Sequence, residues 1–186
     1  NVSDGTTTTP LSAYVAKTPE PMTYDDDGNL LSDGRWVYTY DAENRLQWIN
    51  ASSAAVTAGY PKVAYSFLYD YMGRRVRKIT YTWGGSDWTP ENDHRYVYNG
   101  WNLLGEFWGA YSGGSFVSTN VRYTFWGIDL SGTMQGAGGV GGLLAIKDGS
   151  DTLLPAYDAM GNLHALMTVS AATINGENYS AGAIVA

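Results

Sequence analysis

The sequence predicts an all-β fold built from repeated antiparallel hairpins, and three observations predict it. One heptad recurs five times, with Tyr first, usually Asp second, a turn residue (Gly or Asn) fifth and an aliphatic residue seventh. Apolar and aromatic residues alternate with period two in several stretches, most clearly Trp36-Val37-Tyr38-Thr39-Tyr40, as strands require. No window of 12 residues carries a helical stripe, apart from an Ala-rich stretch near Ser52–Ala58.

The heptads begin at Tyr24-Asp25 (turn residue Gly28), Tyr40-Asp41 (Asn44), Tyr69-Asp70 (Gly73), Tyr98-Asn99 (Asn102) and Tyr157-Asp158 (Gly161). The third has Arg75 in place of the aliphatic, just before Val76, and the fourth has Asn99 in place of Asp. Each tyrosine is expected to end a strand, and each Asp to open a turn whose amides its carboxylate accepts. Gly or Asn then supplies the left-handed conformation of a tight reversal. Successive tyrosines lie 16, 29, 29 and 59 residues apart, so a weaker copy is expected in the last gap, around Tyr123–Gly127.

Three segments follow. Residues 1–21, rich in Thr, Pro and Ser, read as an extended segment with an optional edge strand near Ala13-Tyr14-Val15. Residues 22–169 form the repeat domain. Beyond Trp36–Tyr40, its strands are expected at Val63–Tyr69, Val76–Trp83, Arg95–Tyr98, Leu103–Trp108, Phe116–Trp126, Leu143–Lys147, Leu153–Tyr157 and Leu163–Val169. Residues 170–186 lack a further copy and read as a diverged tail or cap.

Composition narrows the functional classes. Fifteen tyrosines and seven tryptophans against four phenylalanines favour sheets with one packed and one wetter face. A net charge of −7 argues against a general nucleic-acid binder. The dense basic run Arg74-Arg75-Arg77-Lys78 reads as a solvated edge or turn-flanking cluster rather than a binding patch. The chain has no cysteine, which excludes disulfides, thiolate metal sites and cysteine nucleophiles. No apolar run approaches the ~20 residues of a spanning helix. The start, Asn1-Val2-Ser3, lacks a signal-peptide pattern and an initiator Met, and reads as a processed product or a fragment.

The heptads Tyr24–Leu30, Tyr40–Leu46 and Tyr69–Val76 resemble the YD repeats of bacterial Rhs proteins, relatives of toxin-complex C subunits and animal teneurins. The resemblance continues through Arg95–Leu104, Tyr123–Gly132 and Gln135–Leu144, the last similar to the approach to the Rhs-associated core. It covers about residues 22–168. It implies a long β-sheet that spirals into a hollow shell, enclosing a toxin or forming part of an adhesion ectodomain. The family's aspartyl self-cleavage motif, Asp-Pro-x-Gly, has no counterpart in these 186 residues. A few repeats cannot complete a shell, and a short sheet exposes unpaired edges. The chain is therefore expected to belong to a longer polypeptide or to associate with its own copies.

Several motifs invite sharper readings. Gly136–Gly141 satisfies G-x-G-x-x-G, but a strand-like run follows it instead of a helix, so it reads as a loop allowing close backbone packing. Asp25-Asp26-Asp27-Gly28 resembles a calcium loop whose first and last ligands are wrong. His94, in the polar stretch Glu91–His94, and His164 belong to no nucleophile or metal pattern. Trp83, Trp88, Trp101, Trp108 and Trp126 could stack on sugars, although strand positions favour packing. The expectation is a non-enzymatic scaffold of an exported or surface protein, with no cofactor or metal. Its partners are protein (its own copies, further repeats or a toxin cargo), with glycan binding as the alternative.

Overall fold

A computed structural model describes residues 2–3, 8–9, 19–112, 114–174 and 177–185, with the side chains of 19–112 and 114–168. The strands are β1 (Val2–Ser3), β2 (Thr8–Thr9), β3 (Thr23–Tyr24), β4 (Leu30–Ser32), β5 (Trp36–Tyr40), β6 (Leu46–Ala51), β7 (Val63–Tyr69) and β8 (Arg75–Trp83). They continue as β9 (Trp88–Asn99), β10 (Asn102–Ser112), β11 (Ser115–Trp126), β12 (Leu143–Asp148), β13 (Asp151–Tyr157), β14 (Leu163–Ile174) and β15 (Glu177–Val185). One helix, α1 (Ser53–Thr57), interrupts them. β1 and β2 pair with each other, and β3 to β15 hydrogen-bond in sequence order as one open antiparallel sheet. Ala13–Val15 and most of the Thr/Pro-rich start lie outside the described residues.

The chain divides into two compact units, Asn1–Leu68 with Ile79–Glu91, and Tyr69–Lys78 with Asn92–Ala186. In the first, Ser52 caps α1: its Oγ accepts from Ala55 N at 3.1 Å and donates to Gly34 O at 2.5 Å. Ala51 and Ala55 are buried beside it. Arg35 lies 4.6 Å over the Tyr60 ring and donates to its hydroxyl at 2.8 Å, while Trp36 meets Tyr60 and Tyr65 edge-on. A second cluster joins Trp48 to Tyr81 and Trp88, and Trp83 to Trp88, with Lys62 3.3 Å over Trp83. Such aromatic pairs stabilise a sheet across its strands.

Register separates the second unit into two faces. Arg95 pairs with Phe107 and Phe107 with Val121; Val97 pairs with Gly105 and Gly105 with Tyr123. Opposite them, His94 pairs with Trp108, Glu106 with Arg122 and Arg122 with Asp148. β14 continues past the expected Val169 to Ile174 and pairs with β15 from Ile174↔Glu177 to Leu166↔Val185.

Two expectations change. The basic run flanks a turn but is not a solvated edge: Arg74 holds the Asp70 turn, β8 is an interior strand, and Arg77 forks onto the fully buried Asp93 at 2.7–3.0 Å. The polar stretch Glu91–His94 lies within β9, because Asp93 is paired by Arg77 and Arg95, and His94 by Glu106. A buried carboxylate persists in a sheet only with such partners. Leu46–Ala51, outside the period-two stretches but opening at the seventh residue of the second heptad, is β6.

Ser52→Ala removes the cap of α1 and a tie to Gly34, and should cost about 1–2 kcal/mol in urea unfolding, with Ser52→Thr milder.

Candidate functional site: carboxylate-held turns

Four of the five heptads fold into one hairpin turn. In each, the amide of the turn residue donates to the Asp carbonyl at 3.0–3.1 Å: Gly28 to Asp25, Asn44 to Asp41, Gly73 to Asp70 and Gly161 to Asp158. The Asp amide donates in turn to the carbonyl four residues on, at 2.9–3.0 Å. This is a type I turn followed by a left-handed residue that forms a bulge. That residue has φ +85° at Gly28, +57° at Asn44, +76° at Gly73 and +81° at Gly161.

The carboxylate organises the loop from inside. Asp41 Oδ1 accepts the amides of Glu43 at 2.9 Å and Arg45 at 3.0 Å, and its Oδ2 accepts Arg45 Nε at 2.8 Å. Asp70 makes the same bonds with Met72 and Arg74, Asp25 with Asp27 and Asn29, and Asp158 with Met160 and Asn162. These bonds need the charged form, and they hold all four carboxyls below the ordinary range. The largest cause is the side chain of Asn29, Arg74 or Asn162 for Asp25, Asp70 and Asp158, and the Arg45 amide for Asp41.

The tyrosines do more than end strands. Tyr24, Tyr40 and Tyr157 pair with Leu30, Leu46 and Leu163, the first residues of the return strands, and the register slips just before each tyrosine. Tyr40 Oη then donates to Leu30 O at 3.1 Å, Tyr98 Oη to Arg75 O at 3.0 Å and Tyr157 Oη to Leu143 O at 2.8 Å. Each phenol thus reaches the first residue of the preceding return strand and ties one hairpin to the next. Burial raises the Tyr40, Tyr98 and Tyr157 phenols above their ordinary range, which keeps them protonated as donors.

The fourth copy turns differently. Tyr98 pairs with Leu103 and Asn99 with Asn102, leaving a two-residue loop of Gly100 and Trp101 with Gly100 at φ +55°. Asn102 is buried and donates to Met134 O at 3.3 Å, so it does not serve as the left-handed residue. Gln135 takes over the missing Asp's work from a distance, accepting from Trp101 N at 2.9 Å and donating to Asn99 O at 2.7 Å.

The weaker copy lies not at Tyr123–Gly127 but one turn later. Gly132 N donates to Asp129 O at 2.9 Å, Asp129 N to Thr133 O at 2.6 Å, and Gly132 has φ +77°. Ile128 stands where the tyrosine would, which hid the copy. Asp129 Oδ1 accepts Ser131 N and Ser131 Oγ, at 2.9 and 2.6 Å. Its Oδ2 gathers the glycine-rich segment instead of a side chain four residues on, accepting Ala137 N at 2.7 Å and Gly139 N at 3.1 Å. The Ser131 hydroxyl leads the causes that bring this buried carboxyl down to about 2. The Gly136–Gly141 motif is therefore wrapped around an internal carboxylate, and β12 rather than a helix follows it.

The remaining candidates are committed elsewhere. Trp108 stacks parallel to His94, Trp126 Nε1 donates to Leu103 O at 2.6 Å, and Trp83 and Trp88 pack together; Trp101 is the most exposed of the five. His94 Nδ1 lies 2.8 Å from Glu106 Oε1, and His164 is exposed on β14. Among the described residues no group of three or more His, Asp or Glu could hold a metal, and no helix is long and apolar enough to cross a membrane.

Two predictions follow from this geometry. Gly73→Ala should cost about 1–2 kcal/mol for its left-handed backbone alone. Gly73→Asn should cost little, since Asn44 already fills that role. Gly161→Ala should cost more than Gly73→Ala, because its Cβ would lie 2.7 Å from Leu130 Cδ1 and 2.8 Å from Val140 Cγ1. Denaturant unfolding of the three variants checks the order. The lowered carboxyls also set an acid limit. Their stabilisation is present above the ordinary Asp value of 3.8 and is lost as pH falls through the folded values, towards about 2 for Asp129. Unfolding followed from pH 5 to pH 2 should show stability falling steadily, and Asp129→Asn should flatten the most acidic part of that curve.

No family model matches the chain. It is 31% identical over 153 residues to the tRNA3(Ser)-specific nuclease WapA of Bacillus spizizenii, a match covering 77% of this chain and 6% of that protein. The tRNA nuclease WapA of Bacillus subtilis is 37% identical over 59 residues, which is 32% of this chain and 2% of its own. The chain thus spans a small fraction of the curated relatives it matches, and what it resembles is a stretch of a much longer polypeptide.

Proposed function

We propose that this chain is a non-enzymatic β scaffold, a YD-repeat segment of a larger exported or surface protein of the Rhs type. It acts through its shape, enclosing a polypeptide or pairing sheet edges into a larger assembly. The observation that carries this reading is the turn itself. One carboxylate-held reversal recurs at Asp25, Asp41, Asp70, Asp129 and Asp158, and its chemistry is spent on its own loop and the segments beside it. A carboxylate with both oxygens saturated by its own loop is poorly placed for acid–base work.

The similarity to a small part of WapA supports the same reading. A segment that is one of many in a long chain contributes architecture, and we assign no nuclease activity to it. The proposed partners are further repeats, copies of this chain or a polypeptide cargo, in an extracellular or cell-surface setting.

Light scattering of the chain across concentration, run beside a tRNA-cleavage assay, tests the proposal. Association through sheet edges gives a mass that rises with concentration, and no cleavage is expected. Catalytic turnover of tRNA, peptide or glycan by the chain overturns it.

A further inference from the structure

The two faces of the second unit differ in what they leave uncovered. On one, charges are matched: His94 faces Glu106, Arg122 lies 3.6 Å from Glu106, and Arg122 holds Asp148 at 2.5 Å. The other face is apolar and open, with Val97 49%, Tyr123 43% and Phe125 52% exposed.

The exposed charge beside these residues is cationic: Arg95 lies on the same side of β9 as Val97, and Lys147 pairs with Tyr123. Asp93 is fully buried, held by both Arg77 and Arg95, so two guanidiniums share one hidden carboxylate. Arg95 is 45% exposed and its guanidinium lies 4.1 Å over the Phe116 ring. Its Nε and Nη2 serve Asp93, while Nη1 has no partner among the described residues. A chain of net charge −7 therefore presents the Arg95 cation on its open apolar face.

We propose that this face receives an extended polypeptide segment in which acidic and large apolar residues alternate. A carboxylate of the segment pairs with the outer edge of Arg95, and its apolar side chains lie on Val97, Tyr123 and Phe125. Aromatic and Arg residues dominate the energetics of such contacts, and the charge sets their specificity. A nucleic acid fits less well, since Asp93 offsets one of the two guanidiniums and the chain is acidic overall. The inference rests on the scaffold reading and names the chemistry of the polypeptide that the scaffold would hold.

Fluorescence anisotropy with the full chain tests it. The probes are a labelled peptide alternating Glu with Phe and Leu, its twin with Lys for Glu, and an oligouridine of similar length. The acidic peptide should bind about tenfold tighter than its twin, and the preference should shrink in high salt. Arg95→Gln should abolish the preference, and Phe125→Thr should weaken both peptides, with circular dichroism confirming the fold. Equal binding of the two peptides, tighter binding of oligouridine, or indifference to both folded variants overturns the proposal. The salt series on the unmodified chain repeats the charge test should a variant fail to fold. A chain that assembles in light scattering but binds neither peptide keeps the scaffold reading and removes this one.

Discussion

The capture of reversing backbone by an aspartate carboxylate is the interaction on which this molecule depends. Among the described residues, the buried apolar side chains are Ala51, Ala55, Ala64 and Ile79, all small or modest in size. An open sheet with so thin a core cannot rely on burial to set its register. The turns do it instead. At Asp25, Asp41, Asp70 and Asp158, Oδ1 takes two amides that the reversal leaves unpaired, and Oδ2 fixes a side chain at the start of the return strand. The desolvation and ordering of the loop are offset by bonds to a charged acceptor, which are stronger than neutral ones.

From that interaction the sheet is built outward by ties between neighbouring hairpins. The phenols of Tyr40, Tyr98 and Tyr157 reach the preceding return strand. Asn29 Nδ2 donates to Asn44 Oδ1, linking the first two turns within the first unit, and Arg74 donates to the Gly100 carbonyl within the second. Where a local element is missing, a distant one replaces it. Asn99 cannot act as Asp41 does, and Gln135 closes that turn. Thr133 is too short to hold Asp129 Oδ2 as Arg45 holds Asp41, and the amides of Ala137 and Gly139 occupy it. Gly138, Gly139 and Gly141 have positive φ, and a Cβ at Gly136 or Gly139 would press on Ser131 or Asn102, which explains a motif that mimics a dinucleotide loop.

How much was legible in the sequence follows from the range of each interaction. The bonds of the Asp turn span two to four residues, so a heptad contains all of its own partners. For that reason the strand ends at Tyr40, Tyr69 and Tyr157 and the return at Leu163 coincide with the pattern. Misreadings fall where partners are far apart. Asp93 and Arg77 are 16 residues apart, and without knowing that they meet, Glu91–His94 falls outside the expected strand Arg95–Tyr98 and the Arg run reads as a solvated edge or turn-flanking cluster. Asp129 escaped notice because its tyrosine is an isoleucine and its second partners lie 8 and 10 residues on.

The sequence by itself determined the all-β class, the antiparallel hairpins, the position of four turns and the identity of the residues that hold them. Each is a local consequence of period-two alternation, left-handed turn residues and short-range carboxylate bonds. Only the tertiary structure decided which carboxylates are buried among cations, that Gln135 substitutes for an aspartate, where the phenols end, and which sheet face stays apolar and open. Those outcomes depend on strand register, and register brings together residues that no stretch of sequence contains.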